Sequence, residues 1–279
     1  MYTSSQLINE GAAALEESGV DSPRLSSRLL MAHVLGCSQE RLLAGPHTCL
    51  SPDQAFAFRA FLARRLAGEP VAYILGYKEF YGLDFKVDGR VLIPRPETEL
   101  LVDLARDFSR GGSELFADLG TGSGALAVSI ARELPMSFGL ACDICPGAIA
   151  VARQNALLHG VGQRVMFFIS DMGMGIKPGC LDFIFSNPPY LSESELLRVS
   201  REVSRYEPRQ ALVSGCSGLE HIQRLETVSR VLLKSGGMIF LEMGSNQSRA
   251  VQDIFSDWTR VSIHKDLAGH ERILKGTRP

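Results

Sequence analysis

After residue 94 the sequence alternates short apolar runs, glycine-containing turns and segments with helical periodicity. This alternation is typical of a parallel β-sheet that helices cover on both faces. The predicted strands are 115–119, 138–143, 165–170, 183–186 and 238–242, with two more near 260–264 and 272–274. Helices are predicted to begin near Gly124, Pro146, Leu219 and Gln247. The pattern therefore predicts an α/β fold for most of the chain.

The first part of the chain has a different pattern, in which apolar residues recur at helical spacing over residues 4–68. This spacing predicts four helices. One has a marked start, because Ser51 is a typical N-cap, Pro52 suits the first helical position and Gln54 completes a capping box. We expect that helix to run from Pro52 to about Ala67.

In residues 73–87 the spacing of the apolar residues changes again, and aromatic and β-branched residues surround two glycines. We interpret them as a hairpin, with an ordered loop as the alternative. The chain is therefore divided into a helical domain over residues 1–72, a hairpin linker over 73–90 and an α/β domain over 91–279.

The composition weighs against a disordered, membrane-spanning or exported protein. Of the 279 residues, 45% are hydrophobic and 22% are charged, as in soluble globular proteins. The apolar runs are far shorter than the ~18 to 20 residues of a membrane helix. The first 19 residues hold three glutamates and no basic residue, which fits neither a secretory signal nor a transit peptide. We therefore expect a cytoplasmic protein with no membrane partner.

The net charge weighs against a nucleic-acid partner without excluding one, and the cysteine spacing weighs against a metal site. A net charge of −2 gives no positive field for a nucleic-acid backbone, so no direct nucleic-acid partner is expected. The six cysteines are scattered, and we expect them to be buried and reduced. Cys142 and Cys145 form a C-x-x-C pair, but no second pair or His-x-x-x-His accompanies it. We therefore expect no bound metal.

The segment from Asp118 to Gly124 reads Asp-Leu-Gly-Thr-Gly-Ser-Gly and joins an apolar strand to a helix. Glycines permit a tight turn and a close approach of a ligand, and the N–H groups of a helix start face the same site. The spacing also fits a dinucleotide fingerprint, or a turn that only packs a helix on a strand. The candidate contacts to a nucleotide-like ligand are Asp118, Gly120, Thr121, Gly122, Ser123 and Gly124.

Acidic residues near this turn narrow the ligand class. Asp143 ends the next strand, where a carboxylate accepts hydrogen bonds from ribose hydroxyls. Asp118 would repel a pyrophosphate but attract the ammonium group of an amino-acid-bearing cofactor, which favours S-adenosylmethionine over NAD. Asp171 is either an acceptor for an adenine amino group, with Met172 on the ring, or a simple strand-end turn residue.

Asn187, Pro188, Pro189 and Tyr190 follow an apolar strand at the carboxyl edge of the predicted sheet, where α/β folds place ligands. A planar amide or aromatic-amine nitrogen is a poor nucleophile because its lone pair is delocalised. The Asn187 side-chain oxygen and the Pro188 carbonyl can accept its two N–H groups, while Tyr190 offers a flat face. In-line attack on a sulfonium at ~3 to 3.5 Å then needs neither a metal nor a buried general base. We predict that Asn187, Pro188 and Tyr190 are catalytic, although a strand-ending turn is the simpler alternative.

Two further features have more than one interpretation. The Pro-Arg-Pro-Glu sequence at 94–97 is either a stiff linker into a helix or a cover over the cofactor site. Our hypothesis is that it is both, with Arg95 and Glu97 over the cofactor. Glu242 is interpreted as a structural or pocket-shaping residue.

Other motifs extend over essentially the whole chain. They are Gly-Glu-Pro-Val-Ala-Tyr-Ile-Leu-Gly at 68–76, Phe-Tyr-Gly-Leu-Asp-Phe at 80–85, Ile-Pro-Arg-Pro-Glu-Thr-Glu at 93–99, Glu-Pro-Arg-Gln-Ala-Leu at 207–212, Leu-Glu-Met-Gly at 241–244 and Asp-Leu-Ala-Gly-His-Glu-Arg at 266–272. Together with the glycine turn and residues 187–190, they resemble the HemK/PrmC family of protein-(glutamine-N5) methyltransferases.

The resemblance implies a class I S-adenosylmethionine-dependent methyltransferase with a Rossmann-like, seven-stranded, mostly parallel sheet and a small N-terminal helical bundle. The implied cofactor is S-adenosyl-L-methionine, and the product is S-adenosyl-L-homocysteine. The residues implied to contact the cofactor are 120–124, Asp143, Asp171, Met172 and Asn187. Those implied to hold the glutamine of the Gly-Gly-Gln motif of peptide-chain release factors are Asn187, Pro188, Pro189 and Tyr190. The bundle is expected to help to dock the release factor, and the enzyme is expected to be a monomer.

Three alternatives use the same features. An adenine-N6 methyltransferase acting on DNA or RNA has the same need for two acceptors, but it also needs an extruded base and a basic surface or target-reading domain. An NAD-linked oxidoreductase fits the glycine spacing but not Asp118. A scaffold that binds the cofactor without turnover fits poorly with the presence of Asn187 and Tyr190.

Overall fold

The computed structural model of the chain describes residues 2–44 and 48–279. Its helices are α1 (Ser4–Glu17), α2 (Pro23–Leu35), α3 (Gln39–Ala44), α4 (Pro52–Leu66), α5 (Val71–Leu75), α6 (Glu99–Phe108), α7 (Ala125–Glu133), α8 (Pro146–Leu158), α9 (Glu193–Leu196), α10 (Arg201–Tyr206), α11 (Glu220–Leu232) and α12 (Ser248–Ile254). Its strands are β1 (Tyr77–Phe80), β2 (Leu83–Lys86), β3 (Leu115–Leu119), β4 (Phe138–Asp143), β5 (Val165–Ile169), β6 (Leu181–Ser186), β7 (Leu233–Glu242), β8 (Thr259–Lys265) and β9 (Glu271–Thr277). Within the described ranges, no helix is long and apolar enough to cross a membrane.

Contacts group the chain into two compact units, one of Met1–Tyr77 with Ser200–Tyr206 and one of Lys78–Val199 with Glu207–Pro279. The first unit includes α10, in which Glu202 forms an ion pair of 2.7 Å with the buried Arg65. The domain limits drawn from the sequence stay predictions, and they differ from these units in their placement of α10.

The helices of the first unit pack around buried apolar side chains such as Leu7, Leu30 and Phe58. Helix α4 begins as expected, since the Ser51 hydroxyl accepts the Gln54 N–H at 3.1 Å and the Gln54 side chain accepts the Ser51 N–H at 3.0 Å. The predicted capping box is therefore confirmed, and the four predicted helices correspond to α1–α4.

The hairpin is shorter than expected, because Tyr73–Leu75 belongs to helix α5 rather than to a strand. The Pro70 carbonyl accepts the N–H groups of Tyr73 and Ile74, and this starts a helical turn that buries both side chains. The two-stranded sheet of β1 and β2 follows it. Tyr81 and Gly82, with φ of 52° and 72°, form the two-residue turn, a geometry that matches the natural twist of a hairpin.

The second unit is built on a seven-stranded sheet of order β5-β4-β3-β6-β7-β9-β8. Strands β3 to β7 are parallel, and β9 runs antiparallel to both β7 and β8. The chain moves outward from β3 in one direction and then resumes at β6 on its other side. A crevice at such a switch point is where α/β folds bind ligands. The predicted α/β fold and mostly parallel sheet are confirmed.

Successive side chains of the central strands point to opposite faces of the sheet and fill two apolar clusters. Phe116, Phe185 and Phe240 pack with α6, α7 and α8 on one face. Ile184 and Ile239 pack with α11 and α12 on the other. Burial on both faces explains why these strands are continuous apolar runs that can be recognised in the sequence.

Strand β7 begins at Leu233 rather than at the predicted Met238. Leu233 pairs with Leu181, and Met238 pairs with Phe183, so extra residues of β7 are accommodated by a bulge. This bulge contains Gly236, with φ of 77°. Glycine is typical both of bulges and of turns, so the sequence around Gly236 indicates a turn before the strand and the start of β7 is missed.

The expectation that the cysteines are buried is wrong for most of them. Cys142, in strand β4, is buried, and burial raises the pKa of its thiol to about 12. Cys49 and Cys216 are exposed, and the other three are half-buried. All six are free thiols.

Candidate active site

The glycine turn after β3 has a backbone that favours glycine, since φ is 83° at Gly120, 54° at Gly122 and 80° at Gly124. A Cβ added at Gly124 would lie 3.0 Å from the Ala152 Cβ, so this glycine lets α7 pack against α8. A Cβ at Gly120 or Gly122 would meet no atom within 4 Å. The packing interpretation of the turn therefore applies to Gly124, while Gly120 and Gly122 border open space.

That open space belongs to a main cleft of about 190 Å³ at the carboxyl edge of the sheet. A side cavity of about 60 Å³ shares Leu92, Gly120, Gly122 and Asn187 with it. The predicted site residues that line the main cleft are Gly120, Gly122, Asp143, Asp171, Met172, Asn187, Pro188 and Pro189. Those that line the side cavity are Asp118, Gly120, Thr121, Gly122, Ser123 and Asn187. Gly124 and Tyr190 line neither.

The Asp143 carboxylate is fixed by the backbone on two sides. Its Oδ2 accepts the Gly122 N–H at 3.0 Å, and its Oδ1 accepts the Cys145 N–H at 2.9 Å. Each carboxylate oxygen has two lone-pair positions, so two acceptor positions remain. Asp143 can therefore orient the glycine turn and still accept from a ligand in the main cleft.

Asp118 lies at the end of β3 and is 1% exposed. Its Oδ2 accepts the Thr121 hydroxyl at 2.7 Å. Burial raises the pKa of the Asp118 carboxyl from 3.8 to about 7, although the hydrogen bond from Thr121 acts in the opposite direction. A cationic group entering the side cavity would favour the ionised form.

The raised pKa of Asp118 predicts a pH-dependent stability difference. Between pH about 4 and about 7 the folded state holds a proton that the unfolded state loses, so this group makes the protein less stable as pH rises. We expect an Asp118→Asn variant, which lacks the titration, to gain stability relative to the parent as pH rises through this window. Urea unfolding of both proteins across the window measures the difference, and parallel stability profiles would contradict the prediction.

Asp171 takes part in an ion pair that the sequence did not predict. Its Oδ2 accepts from Arg224 Nη2 at 2.7 Å, and both residues line the main cleft with His221. The neighbouring Met172 has φ of 50°, a left-handed conformation that is uncommon for a residue with a side chain. The ion pair engages Oδ2, and Asp171 Oδ1 can still accept from a ligand.

Asn187 directly follows β6, and the Ser186 hydroxyl before it donates to the Leu119 carbonyl of β3 at 2.6 Å. This bond ties the start of residues 187–190 to the start of the glycine turn. Asn187 Nδ2 donates to the Thr98 hydroxyl at 2.9 Å, and Thr98 in turn donates to Glu242 Oε2 at 2.6 Å. Glu242 therefore contacts Asn187 only indirectly, through Thr98, and this is the way in which it can shape the pocket.

The residues after Asn187 differ in their access to the site. Pro188 and Pro189 line the main cleft. Tyr190 is half-buried, and its carbonyl accepts from Gln247 Nε2 at 2.9 Å. Burial raises the pKa of the Tyr190 hydroxyl to about 12, so this group stays protonated at neutral pH.

The segment that precedes α6 is held by a buried acid. Glu207 accepts from Arg95 Nη2 at 2.6 Å and from the Ile93 N–H at 3.2 Å. Arg95 lines the side cavity, whereas Glu97 is exposed and lines neither space. Arg95 therefore borders the site and Glu97 does not, and the hypothesis that this segment covers the cofactor stays a prediction.

Sequence reasoning missed several residues of the site, namely Thr98, His221 and Arg224. Thr98 lies within the motif at 93–99, which was the one available signal, but its partner Asn187 is 89 positions away. Arg224 and Asp171 are 53 positions apart, with no local pattern that joins them.

Comparison with protein families agrees with this architecture. Residues 6–76 match the family described as the PrmC N-terminal domain. Residues 97–212 match the methyltransferase small domain. The first match falls on helices α1 to α5, and the second contains strands β3 to β6 of the sheet that carries the site.

Curated relatives match nearly the whole chain. A release factor glutamine methyltransferase of Nitratidesulfovibrio vulgaris is 39% identical over 277 residues, which cover 98% of this chain and 94% of the relative. The protein of the same name from Koribacter versatilis is 38% identical and covers 99% of both chains.

Solved structures share the fold at low sequence identity. A methyltransferase from Pyrococcus furiosus has a TM-score of 0.53 and 19% identity, covering 77% of this chain and 96% of that one. The hMettl16 catalytic domain, in complex with a 3′UTR hairpin, has a TM-score of 0.58 and 16% identity over 85% of both chains. These structures agree on the methyltransferase fold, and the full-length relatives decide the family. The chain belongs to the family of release factor glutamine methyltransferases.

Proposed function

We propose that the chain transfers a methyl group from S-adenosylmethionine to the side-chain amide nitrogen, N5, of the glutamine in the Gly-Gly-Gln motif of peptide-chain release factors. The observation that carries the proposal is the orientation of the Asn187 amide. Its nitrogen donates to Thr98, so its oxygen is the end left to accept an N–H group, and Asn187 borders both the main cleft and the side cavity.

The main cleft suits an adenosine group. Gly120 and Gly122 leave space for a ribose beside the backbone, and Asp143 keeps two acceptor positions for a ribose diol. Met172 can cover an adenine face, and Asp171 Oδ1 can accept its amino group. The buried Asp118 suits the ammonium group of the methionine part in the side cavity. When bound, this cofactor supplies an electrophilic methyl group on a sulfonium.

We expect Asp143→Ala to weaken the affinity for S-adenosylmethionine by about 10- to 100-fold, the effect of removing hydrogen bonds to a charged acceptor. Isothermal titration calorimetry measures this affinity without the release factor. Asp182→Ala is the matched control, because Asp182 is the second residue of β6, at the opposite edge of the sheet, where it accepts from Lys234 and from the Leu115 N–H. An unchanged affinity in the Asp143 variant would show that the ribose contact is misassigned.

The substrate nitrogen is activated by two acceptors. Asn187 Oδ1 accepts one N–H and the Pro188 carbonyl accepts the other, which returns electron density to a nitrogen whose lone pair is delocalised. Both acceptors lie in a segment stiffened by two prolines, so they are fixed before the substrate arrives. Tyr190 lines neither space, and its stacking on the amide stays a prediction.

The proton can leave after methyl transfer, when the nitrogen has become strongly acidic. No side chain is therefore needed as a buried general base. The release factor is the protein partner, docked in part by the helical unit, and the reaction takes place in the cytoplasm. A site made by one chain requires no second subunit, and the enzyme acts as a monomer on its protein substrate.

Mass spectrometry of a purified release factor tests the proposal. After incubation with this protein and S-adenosylmethionine, the peptide that contains Gly-Gly-Gln is expected to gain the mass of one CH2, with the modification on the glutamine. A release factor with this glutamine replaced by alanine is the control. Methyl transfer to an adenine oligonucleotide with no change in the release factor would instead support the nucleic-acid alternative.

A further inference from the structure

Three side chains from three separate elements form a continuous hydrogen-bonded relay behind the site. Asn187 follows β6, Thr98 precedes α6 and Glu242 ends β7. Thr98 is 6% exposed and Glu242 is 1% exposed. The relay runs from Asn187 Nδ2 to Thr98 Oγ1 over 2.9 Å and on to Glu242 Oε2 over 2.6 Å.

When Glu242 is ionised, the chemistry of the three groups fixes the direction of this relay. An ionised carboxylate has no proton to give, so Glu242 accepts and the Thr98 hydroxyl donates. With its only proton used, the Thr98 oxygen can accept but cannot donate to Asn187. An amide offers an N–H from its nitrogen end alone, so the NH2 of Asn187 must face Thr98 and the oxygen must face away.

We propose that Glu242 and Thr98 are positioning residues, which hold the Asn187 amide in the single orientation that presents its oxygen to the substrate nitrogen. This inference rests on the proposed function, since it assigns the acceptor of that reaction. Neither residue touches the reacting atoms. Without the relay, the amide can turn by about 180° and present N–H groups to the substrate N–H groups, a repulsive arrangement.

The environment of Glu242 makes the relay sensitive to pH. Burial raises the pKa of its carboxyl to about 7, the Thr98 hydrogen bond and the charges of Arg272 and Arg95 lower it, and Glu97 raises it. Tyr190, the other titratable group nearby, stays protonated. A protonated Glu242 can donate its O–H to the Thr98 oxygen. The Thr98 hydroxyl then donates its own O–H to Asn187 Oδ1, so the direction of the relay is reversed. Low pH therefore favours the unproductive amide orientation.

Substitution of Thr98 tests the relay in the full chain. Thr98→Val removes the hydroxyl at nearly constant volume and is expected to lower kcat for release-factor methylation by about 10-fold or more. Thr98→Ser restores the hydroxyl and is expected to recover most of that loss. The affinity for S-adenosylmethionine should be similar in both variants, whereas the unfolding temperature should be lower in Thr98→Val, because the buried Glu242 carboxyl loses its donor. Thr227→Val, on the exposed part of α11, controls for the exchange itself. Equal kcat values for the valine and serine variants would overturn the proposal.

The Glu242→Gln variant tests whether Glu242 controls the pH dependence of kcat. In the parent protein kcat at saturating substrates is expected to fall as pH drops below about 7. A glutamine keeps the size of the side chain but does not titrate in this range, so this fall should be absent. If the variant follows the parent pH profile, Glu242 does not control the reaction.

Nuclear magnetic resonance tests the relay even if the proposed function fails. The side-chain NH2 signals of Asn187, assigned with Asn187→Asp, should show one proton shifted by its bond to Thr98. Loss of that shift in Thr98→Val but not in Thr98→Ser is the expected result. If the release factor is not methylated but the shift is lost in Thr98→Val alone, the proposed function is rejected and the relay is retained. If the release factor is methylated but the Asn187 signals are unchanged in Thr98→Val, only the relay is rejected.

Discussion

Replacing Asn187 by alanine is expected to lower kcat for methyl transfer by about 10²- to 10³-fold, by analogy with the ~2.7 to 4 kcal/mol lost when one preorganised oxyanion donor is removed. The variant loses one of the two acceptors that polarise the substrate amide. The Pro188 carbonyl remains, so activity falls without being abolished. Since the cofactor contacts assigned to Asp143 and the glycine turn are untouched, the affinity for S-adenosylmethionine should change far less than kcat.

Single-turnover kinetics with a release factor, together with calorimetry of the cofactor, separates these two effects. Asn246→Ala is the matched control, because Asn246 is an exposed asparagine in the loop after β7, at the same edge of the sheet. A large loss of cofactor affinity with kcat preserved would contradict the role of Asn187 as substrate acceptor. It would assign Asn187 to the cofactor instead.

Gly124→Ala is expected to lower the free energy of unfolding by about 2 to 5 kcal/mol. A left-handed backbone costs a residue with a Cβ ~1 to 2 kcal/mol, and overpacking adds ~1 to 3 kcal/mol. Both costs arise here, because φ at Gly124 is 80° and the new methyl group would lie 3.0 Å from the Ala152 Cβ and 3.1 Å from its Cα. Helix α8 would have to move away from α7.

Gly120→Ala is the matched control for this prediction. It has φ of 83° but no atom within 4 Å of the added Cβ, so it should lose only the backbone contribution. Its methyl group enters the main cleft, and it should therefore reduce cofactor affinity more than stability. Urea unfolding and calorimetry on both variants test the contrast. Equal losses of stability would show that packing of α7 on α8 does not depend on Gly124.

The sheet could be predicted because its signals are local. Phe116, Phe185 and Phe240 lie in strands that are buried on both faces. Such strands appear in a sequence as short apolar runs. The glycine turn and residues 187–190 are equally local, since each is a contiguous segment that follows a strand. Helix α5 was missed because a single turn held by Pro70 has too few residues to establish helical periodicity.

The partners of the site residues could not be predicted, because they depend on which strand ends become neighbours. Glu207 and Arg95 are 112 positions apart, and Glu242 and Thr98 are 144 positions apart. Such pairs can be predicted only when the order of β3, β6 and β7 in the sheet is known. The sequence could therefore identify Asn187 as a candidate acceptor, but it could not establish the orientation of its amide.

The bond from the Ser186 hydroxyl to the Leu119 carbonyl has a consequence for the entropy of the reaction. The segments assigned to the methyl donor and to its acceptor start from neighbouring strands of one hydrogen-bonded ladder. Relative motion of the two segments at their roots is therefore limited by the stiffness of the sheet, which fluctuates less than surface loops. Much of the freedom that two reactants lose when they align is thus already lost when the protein folds, rather than at each turnover.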